Sequence, residues 1–211
     1  VKNYKNKFIT FEGTEGSGKS TIIKLLSVEL QNNDINHFVT REPGGNGLEI
    51  AEDIRNIILE NGEIHQLTEL LLYEASRKEH LDKKIIPELE KGNIVLCDRF
   101  TDSSIAYQGS ARKLGVDIVK QLNEIVVGKY APSLTIFFDI KPEESLKRIF
   151  SSDREVNRFD KYDIKFHNNV YDAYKKLIDE EPGRFAVVDA SKSVEEVLED
   201  VKEIIFNHVK N

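Results

Sequence analysis

Gly13-Thr14-Glu15-Gly16-Ser17-Gly18-Lys19-Ser20 has the spacing G-x-x-x-x-G-K-[ST]. Glycines at these positions let the backbone curl until several N–H groups face one anion. Lys19 adds a mobile positive charge for the outer phosphates of a nucleotide, and the Ser20 hydroxyl is a ligand for Mg²⁺. The flanks agree with this P-loop. Residues 8–12, Phe-Ile-Thr-Phe-Glu, read as a strand running into it, and residues 21–30 carry apolar side chains at helical spacing running out of it. The loop thus meets a helix N-terminus, where aligned peptide dipoles attract anions. Gly13, Gly16, Ser17, Gly18, Lys19, Ser20 and Thr21 are the expected nucleotide-binding residues.

Outward from the loop, strand-like and helix-like runs alternate. Strands are expected at 8–12, 36–40, 94–98, 134–140 and 184–189, and helices at 20–32, 48–60, 67–90, 116–127, 142–150, 160–180 and 194–209. This alternation predicts an α/β fold, a parallel sheet with helices on both faces, in one domain spanning 1–211. Ligands bind such sheets beyond the carboxyl ends of the strands. Arg41-Glu42-Pro43-Gly44-Gly45 follows the second strand, and Asp98-Arg99 ends the third. The polar run Ser151-Ser152-Asp153-Arg154-Glu155-Val156-Asn157-Arg158 interrupts two helices and is expected to be a mobile lid.

The 211 residues are 39% hydrophobic and 32% charged, ordinary for a soluble protein of one domain. A net charge of −7 with no continuous basic stretch argues against a nucleic-acid polymer as partner. Lone Cys97 excludes an internal disulfide and suits a reducing cytoplasm. No apolar run reaches membrane-spanning length, and none reads as a leader. His37, His65, His80, His167 and His208 show no metal-ligand spacing. His80 reads as helix surface or packing, and Cys97 as a buried strand residue.

Ile94-Val95-Leu96-Cys97-Asp98 is a hydrophobic strand ending in an acid, the expected position for a carboxylate near Mg²⁺ in a P-loop protein. Arg99 beside it suits a second phosphate. The guanine-specificity sequence Asn-Lys-x-Asp of a GTPase is absent, and no residue stands out as activating water. Arginines accumulate instead at Arg41, Arg55, Arg77, Arg99, Arg154 and Arg158, which favours two phosphorylated ligands over one.

The chain resembles bacterial-type thymidylate kinases over essentially its whole length. The resemblance rests on Phe-Glu-Gly-Thr-Glu-Gly-Ser-Gly-Lys-Ser (11–20), Thr-Arg-Glu-Pro-Gly-Gly (40–45) and Leu-Leu-Leu-Tyr-Glu-Ala-Ser-Arg (70–77). It continues in Asp-Arg-Phe-Thr-Asp-Ser-Ser-Ile-Ala-Tyr-Gln-Gly (98–109) and Pro-Ser-Leu-Thr-Ile-Phe-Phe-Asp (132–139). The second and fourth segments are specific to these kinases. The resemblance implies a three-layer P-loop kinase fold with a five-stranded parallel sheet. It implies transfer of the γ-phosphoryl group of ATP to dTMP with Mg²⁺, held by Ser20 and Asp98. A homodimer is also implied, for which the apolar faces of helices 48–60 and 116–127 are candidates, although core burial explains those faces equally well.

By that resemblance the dTMP site comprises Glu15, Arg41, Pro43, Arg55, Tyr73, Arg77, Arg99, Ser104, Tyr107 and Gln108. Tyr73, where the family usually has Phe, and Arg77 are four apart on one helix face, ready for a pyrimidine ring and its edge. Ser104 and Gln108 face the thymine edge, Tyr107 the sugar, and Arg99, Arg55 and Arg41 the acceptor phosphate. Glu15 is read as orienting metal-bound water or the 3′-hydroxyl region, because an anionic phosphate needs no general base. The P-loop contains no arginine. The resemblance therefore assigns Arg154 in the lid to the transferring phosphates, beside Lys19, Arg99 and Glu15 as the catalytic set. Arg148 and Arg158 are weaker candidates, Arg158 as a pin for the lid. The adenine is expected near Asp189-Ala190-Ser191.

Overall fold

A computed structural model describes residues 4, 6–151, 156 and 158–210. Five strands, β1 (Phe8–Glu12), β2 (His37–Arg41), β3 (Ile94–Asp98), β4 (Leu134–Asp139) and β5 (Phe185–Asp189), form a wholly parallel sheet in the order β2-β3-β1-β4-β5. β1 and β3 span the expected residues; β2 is shifted by one residue at both ends, and β4 and β5 are shorter by one residue at one end.

Strand alternation sorts the side chains onto two layers. Ile9 and Phe11 of β1, Ile94 and Leu96 of β3, and Leu134, Ile136 and Phe138 of β4 pack under α1 (Lys19–Asn32) and α9 (Val194–Lys210). The opposite parity carries Phe8, Val95, Cys97 and Phe137 to the other face. That face is covered by α3 (Gln66–His80), α4 (Ile86–Lys91), α5 (Thr101–Ser104) and α8 (Ile164–Glu180), with α2 (Glu49–Glu60) and α6 (Val116–Val127) packed outside. α7 (Pro142–Phe150) follows β4. Cys97 is fully buried, as its strand position implied.

Three helical stretches differ from expectation. The run expected at 67–90 is continuous over 66–91, but its middle, Leu81–Ile85, widens into a π-helical turn between α3 and α4. A second π-helical stretch, Ile105–Ala111, prolongs α5 and carries Tyr107 and Gln108. The helix expected at 160–180 begins only at Ile164, because the Asp163 side chain accepts a hydrogen bond from the Phe166 N–H at 2.8 Å and caps it there. Phe159–Lys161 forms a separate 3₁₀ turn.

Candidate active site

Beyond the carboxyl ends of β1, β2 and β3 lies one cavity of about 450 Å³. The P-loop forms one end of it. Gly16 has φ 73°, and a Cβ there would fall 2.3 Å from the Ser145 carbonyl oxygen, so only glycine lets the loop lie against α7. Gly18, φ 89°, caps α1 with open space around it, leaving room for an anion at the helix N-terminus. Lys19 is nearly enclosed, its Nζ donating to the carbonyls of Gly13 (3.2 Å) and Thr14 (3.1 Å) and to the Ser17 hydroxyl (3.1 Å). Burial and the nearby Arg99 charge depress its ammonium to about 8. Gly16, Ser17, Gly18, Lys19, Ser20 and Thr21 all line the cavity, whereas Gly13 stands behind it and contributes its carbonyl.

Asp98 has the same strand parity as Leu96 and therefore turns toward α1. There the Ser20 hydroxyl donates to its Oδ2 at 2.6 Å. Two neighbouring oxygen donors suit a hard cation. Among the described residues no group of three or more His, Cys, Asp or Glu side chains could hold a metal. A divalent ion held by Ser20 and Asp98 would need further oxygen ligands, which phosphate and water could supply.

The other half of the cavity is arginine-rich. Arg99 holds φ at 68°, a left-handed conformation costing about 1 kcal/mol. From it the guanidinium donates to Glu15 at 3.0 Å and to the Ser103 hydroxyl at 3.1 Å, and lies 5.1 Å from the Tyr107 ring centroid. Tyr107 donates its hydroxyl to the other Glu15 oxygen at 2.6 Å. Burial opposes charge on Glu15, but Arg99 and Tyr107 outweigh it and hold the carboxyl below its usual range. Arg41 and Arg55 both donate to the Pro43 carbonyl, at 2.8 and 3.0 Å, and Glu52 pairs with Arg41 at 2.9 Å. Two guanidinium groups converging on one carbonyl leave an electropositive pocket suited to a phosphate.

α3 supplies the wall between. Tyr73 lines the cavity, and burial raises its hydroxyl, which stays protonated at neutral pH. Arg77 also lines it but is 1% exposed, and all five of its N–H groups are engaged. They go to Glu42, Glu74, Asn123, the Phe100 carbonyl and the Ser104 hydroxyl. Any further acceptor reaching Arg77 would have to share one of these donors. Gln108 donates to Glu69 at 2.9 Å. His80, expected at the surface or packed, is fully buried and bridges Thr40 (2.7 Å) to Glu42 (3.1 Å).

Of the expected site residues, Arg154 lies outside the described residues. Two participants, Glu12 and Glu69, escaped the sequence reading. Glu12 turns to the face opposite α1 and accepts from the Phe100 N–H (2.7 Å) and the Ser103 (2.6 Å) and Tyr174 (2.7 Å) hydroxyls. Burial, then the Asp102 charge, push its carboxyl up to about 7. Strand alternation could have found it. Glu69 sits four residues before Tyr73 on the same helix face, a spacing that could also have been read. Arg148 lines the cavity and donates to the Ala190 carbonyl at 2.9 Å, beside the turn expected to hold adenine. Nothing local in the sequence pairs those two.

A phosphate loop and an arginine-rich pocket sharing one cavity at the carboxyl edge of this sheet define a P-loop kinase, which moves a phosphoryl group between two phosphorylated ligands. The thymidylate kinase family model matches residues 11–201. Curated thymidylate kinases from Staphylococcus haemolyticus and Bacillus licheniformis are 47% and 50% identical to the chain. The matches cover 96% of this chain in each case, and 98% and 96% of those proteins. The crystal structure of thymidylate kinase from Ehrlichia chaffeensis superposes with a TM-score of 0.77 at 32% identity, over 96% of this chain and 99% of that one. The chain belongs to the thymidylate kinase family, and it is a phosphotransferase acting on dTMP.

Proposed function

We propose that the cavity holds the two substrates end to end, ATP on the loop 13–20 and dTMP against α3 and the segment after β3, with in-line transfer between them. The observation that carries this is the Glu15–Arg99 ion pair, which joins the phosphate loop to the arginine-rich pocket within one cavity. Lys19 leaves the loop carbonyls for the outer phosphates of ATP. Arg99, Arg41 and Arg55 hold the acceptor phosphate, Tyr73 stacks on the base, and Gln108, with Ser104 and Arg77, meets its edge. An acceptor phosphate oxygen bonds to the γ-phosphorus as the bond to the β–γ bridging oxygen breaks, and that electron pair leaves on ADP. The nucleophile is already anionic, so catalysis is positioning and charge neutralisation. Ser20 and Asp98 would hold Mg²⁺, which supplies charge neutralisation at the outer phosphates when bound. Arg154 is assigned to the transferring phosphates because the loop carries no arginine.

A homodimer agrees with the surface. Ile50 and Ile57 of α2, Leu67 and Leu71 of α3, and Ile118 and Ile125 of α6 are exposed, Ile125 to 77%. Ile50 and Ile57, like Ile118 and Ile125, are seven residues apart on one helix face, and core burial does not account for them. A cytoplasmic location agrees with a lone, buried Cys97. No helix among the described residues is long and apolar enough to cross a membrane.

A coupled assay with ATP and dTMP, dUMP, dCMP, UMP and AMP tests the reading. dTMP is expected to be turned over with the highest kcat/KM. Preferred turnover of dCMP or AMP would overturn the placement of the base.

A further inference from the structure

Glu69 is completely enclosed on α3, yet four donor contacts converge on its carboxylate. Gln108 Nε2 donates to Oε1 at 2.9 Å, and Arg112 Nε reaches the same oxygen at 3.4 Å. Arg112 Nη2, at 2.6 Å, and Arg158 Nη2 donate to Oε2. With guanidinium and amide N–H groups donating to both of its oxygens, this carboxyl acts as an acceptor at each. The consequence falls on Gln108. A carboxamide is nearly symmetrical in shape, and a half-turn about its last side-chain bond exchanges oxygen for nitrogen. Beside an acceptor-only partner one of those two orientations is stable, with nitrogen toward Glu69. The amide oxygen is then the end left for the cavity that Gln108 lines.

We propose that Glu69 is a positioning residue for base selection, holding the Gln108 carboxamide in the one orientation that accepts from the N3–H of thymine and opposes the N3 lone pair of cytosine. This rests on the reading that Gln108 meets the base edge. Thymine offers a donor at N3 and an acceptor at O4, whereas cytosine offers an acceptor at N3 and a donor at its exocyclic amine. A carboxamide free to turn would serve either base. A locked one leaves cytosine with acceptor against acceptor, and a buried polar group left unpaired by the wrong substrate discriminates far better than shape. Tyr73, four residues on, shares its helix face, so one helix governs both the stacking plane and the hydrogen-bonding edge.

The test is the ratio of kcat/KM for dTMP to that for dCMP. Glu69→Gln keeps the size of the side chain but can present either end to Gln108. The ratio is expected to fall at least about tenfold, through gain with dCMP as well as loss with dTMP, while the KM for ATP holds. Arg112→Leu is the control: it unbalances the same cluster, keeps the Glu69–Gln108 bond, and leaves the ratio within about twofold of wild type. Gln108→Leu alters the ratio if Gln108 meets the base. A ratio changed by Gln108→Leu and unchanged by Glu69→Gln overturns the lock while the base-edge reading stands. A ratio unchanged by both overturns the base-edge reading and the lock with it. Should Glu69→Gln not fold, Glu69→Gln combined with Arg112→Gln, which removes a stranded charge, is measured in its place.

Discussion

Arg99 and Glu15 form a 3.0 Å ion pair between the end of β3 and the P-loop, 84 residues apart in the chain. The pair joins the P-loop to the arginine-rich half of the cavity. Glu15 also takes the Tyr107 hydroxyl, so one carboxylate holds both a guanidinium and a phenol. Arg99→Lys keeps a charge but loses the planar fork. Its kcat/KM for dTMP is expected to fall about 10²–10³-fold, with the dissociation constant for ATP within a few-fold of wild type. Steady-state kinetics and calorimetry check both, and equal losses on the two substrates would contradict an acceptor-side role.

Lys19 makes nucleotide binding a proton-linked event. In the free enzyme its ammonium titrates at about 8, depressed by burial and by Arg99. Bound polyphosphate favours the charged form and raises that value. Across the window just above about 8, binding therefore takes up protons, and ATP affinity falls as pH rises. Calorimetry in two buffers of different ionisation enthalpy should show the uptake near pH 8 and its loss in Lys19→Met.

Glu12 predicts a pH dependence of stability. Its carboxyl is pushed from the ordinary 4.5 up to about 7. The folded state thus keeps a proton that the unfolded chain has released. The contribution is whole below about 4.5 and is lost as pH rises through about 7. Glu12→Gln removes the titration and keeps an acceptor for the Phe100 N–H. Between about pH 5 and 7 the urea midpoint of wild type should decline relative to that of Glu12→Gln. Parallel curves would show that Glu12 stays ionised throughout.

The exposed apolar residues of α2, α3 and α6 predict the oligomeric state. Ile125→Asp introduces a charge at the most exposed of them, 77% accessible. Light scattering is expected to give the mass of two chains for wild type and one for the variant. A monomeric, fully active wild type would contradict the dimer.

Much of the fold was legible because its determinants are local. Strand and helix periods repeat within ten residues, and the P-loop announces a strand before it and a helix after it. The Asp163 cap was equally local but went unread, so the start of α8 came out too early. The π-helical stretch 105–111 had no such mark, since its period depends on packing against α6 and α8.

For the site, the sequence alone singled out candidates that the fold brings to one cavity: Lys19 and Ser20 in the loop, Asp98 and Arg99 at a strand end, Tyr73 and Arg77 on one helix face. These are short-range patterns, and the residue types name their own ligands. How their hydrogen bonds are shared out depended on contacts formed only in the fold. The fold put all five Arg77 donors on protein partners, aimed Glu12 away from α1, and closed Glu69 around Gln108, Arg112 and Arg158. Apart from Glu74, three residues from Arg77, those partners lie 23 to 162 residues apart in the chain. Burial forces each enclosed polar group to find its partner across that distance, and no local pattern records which one it takes.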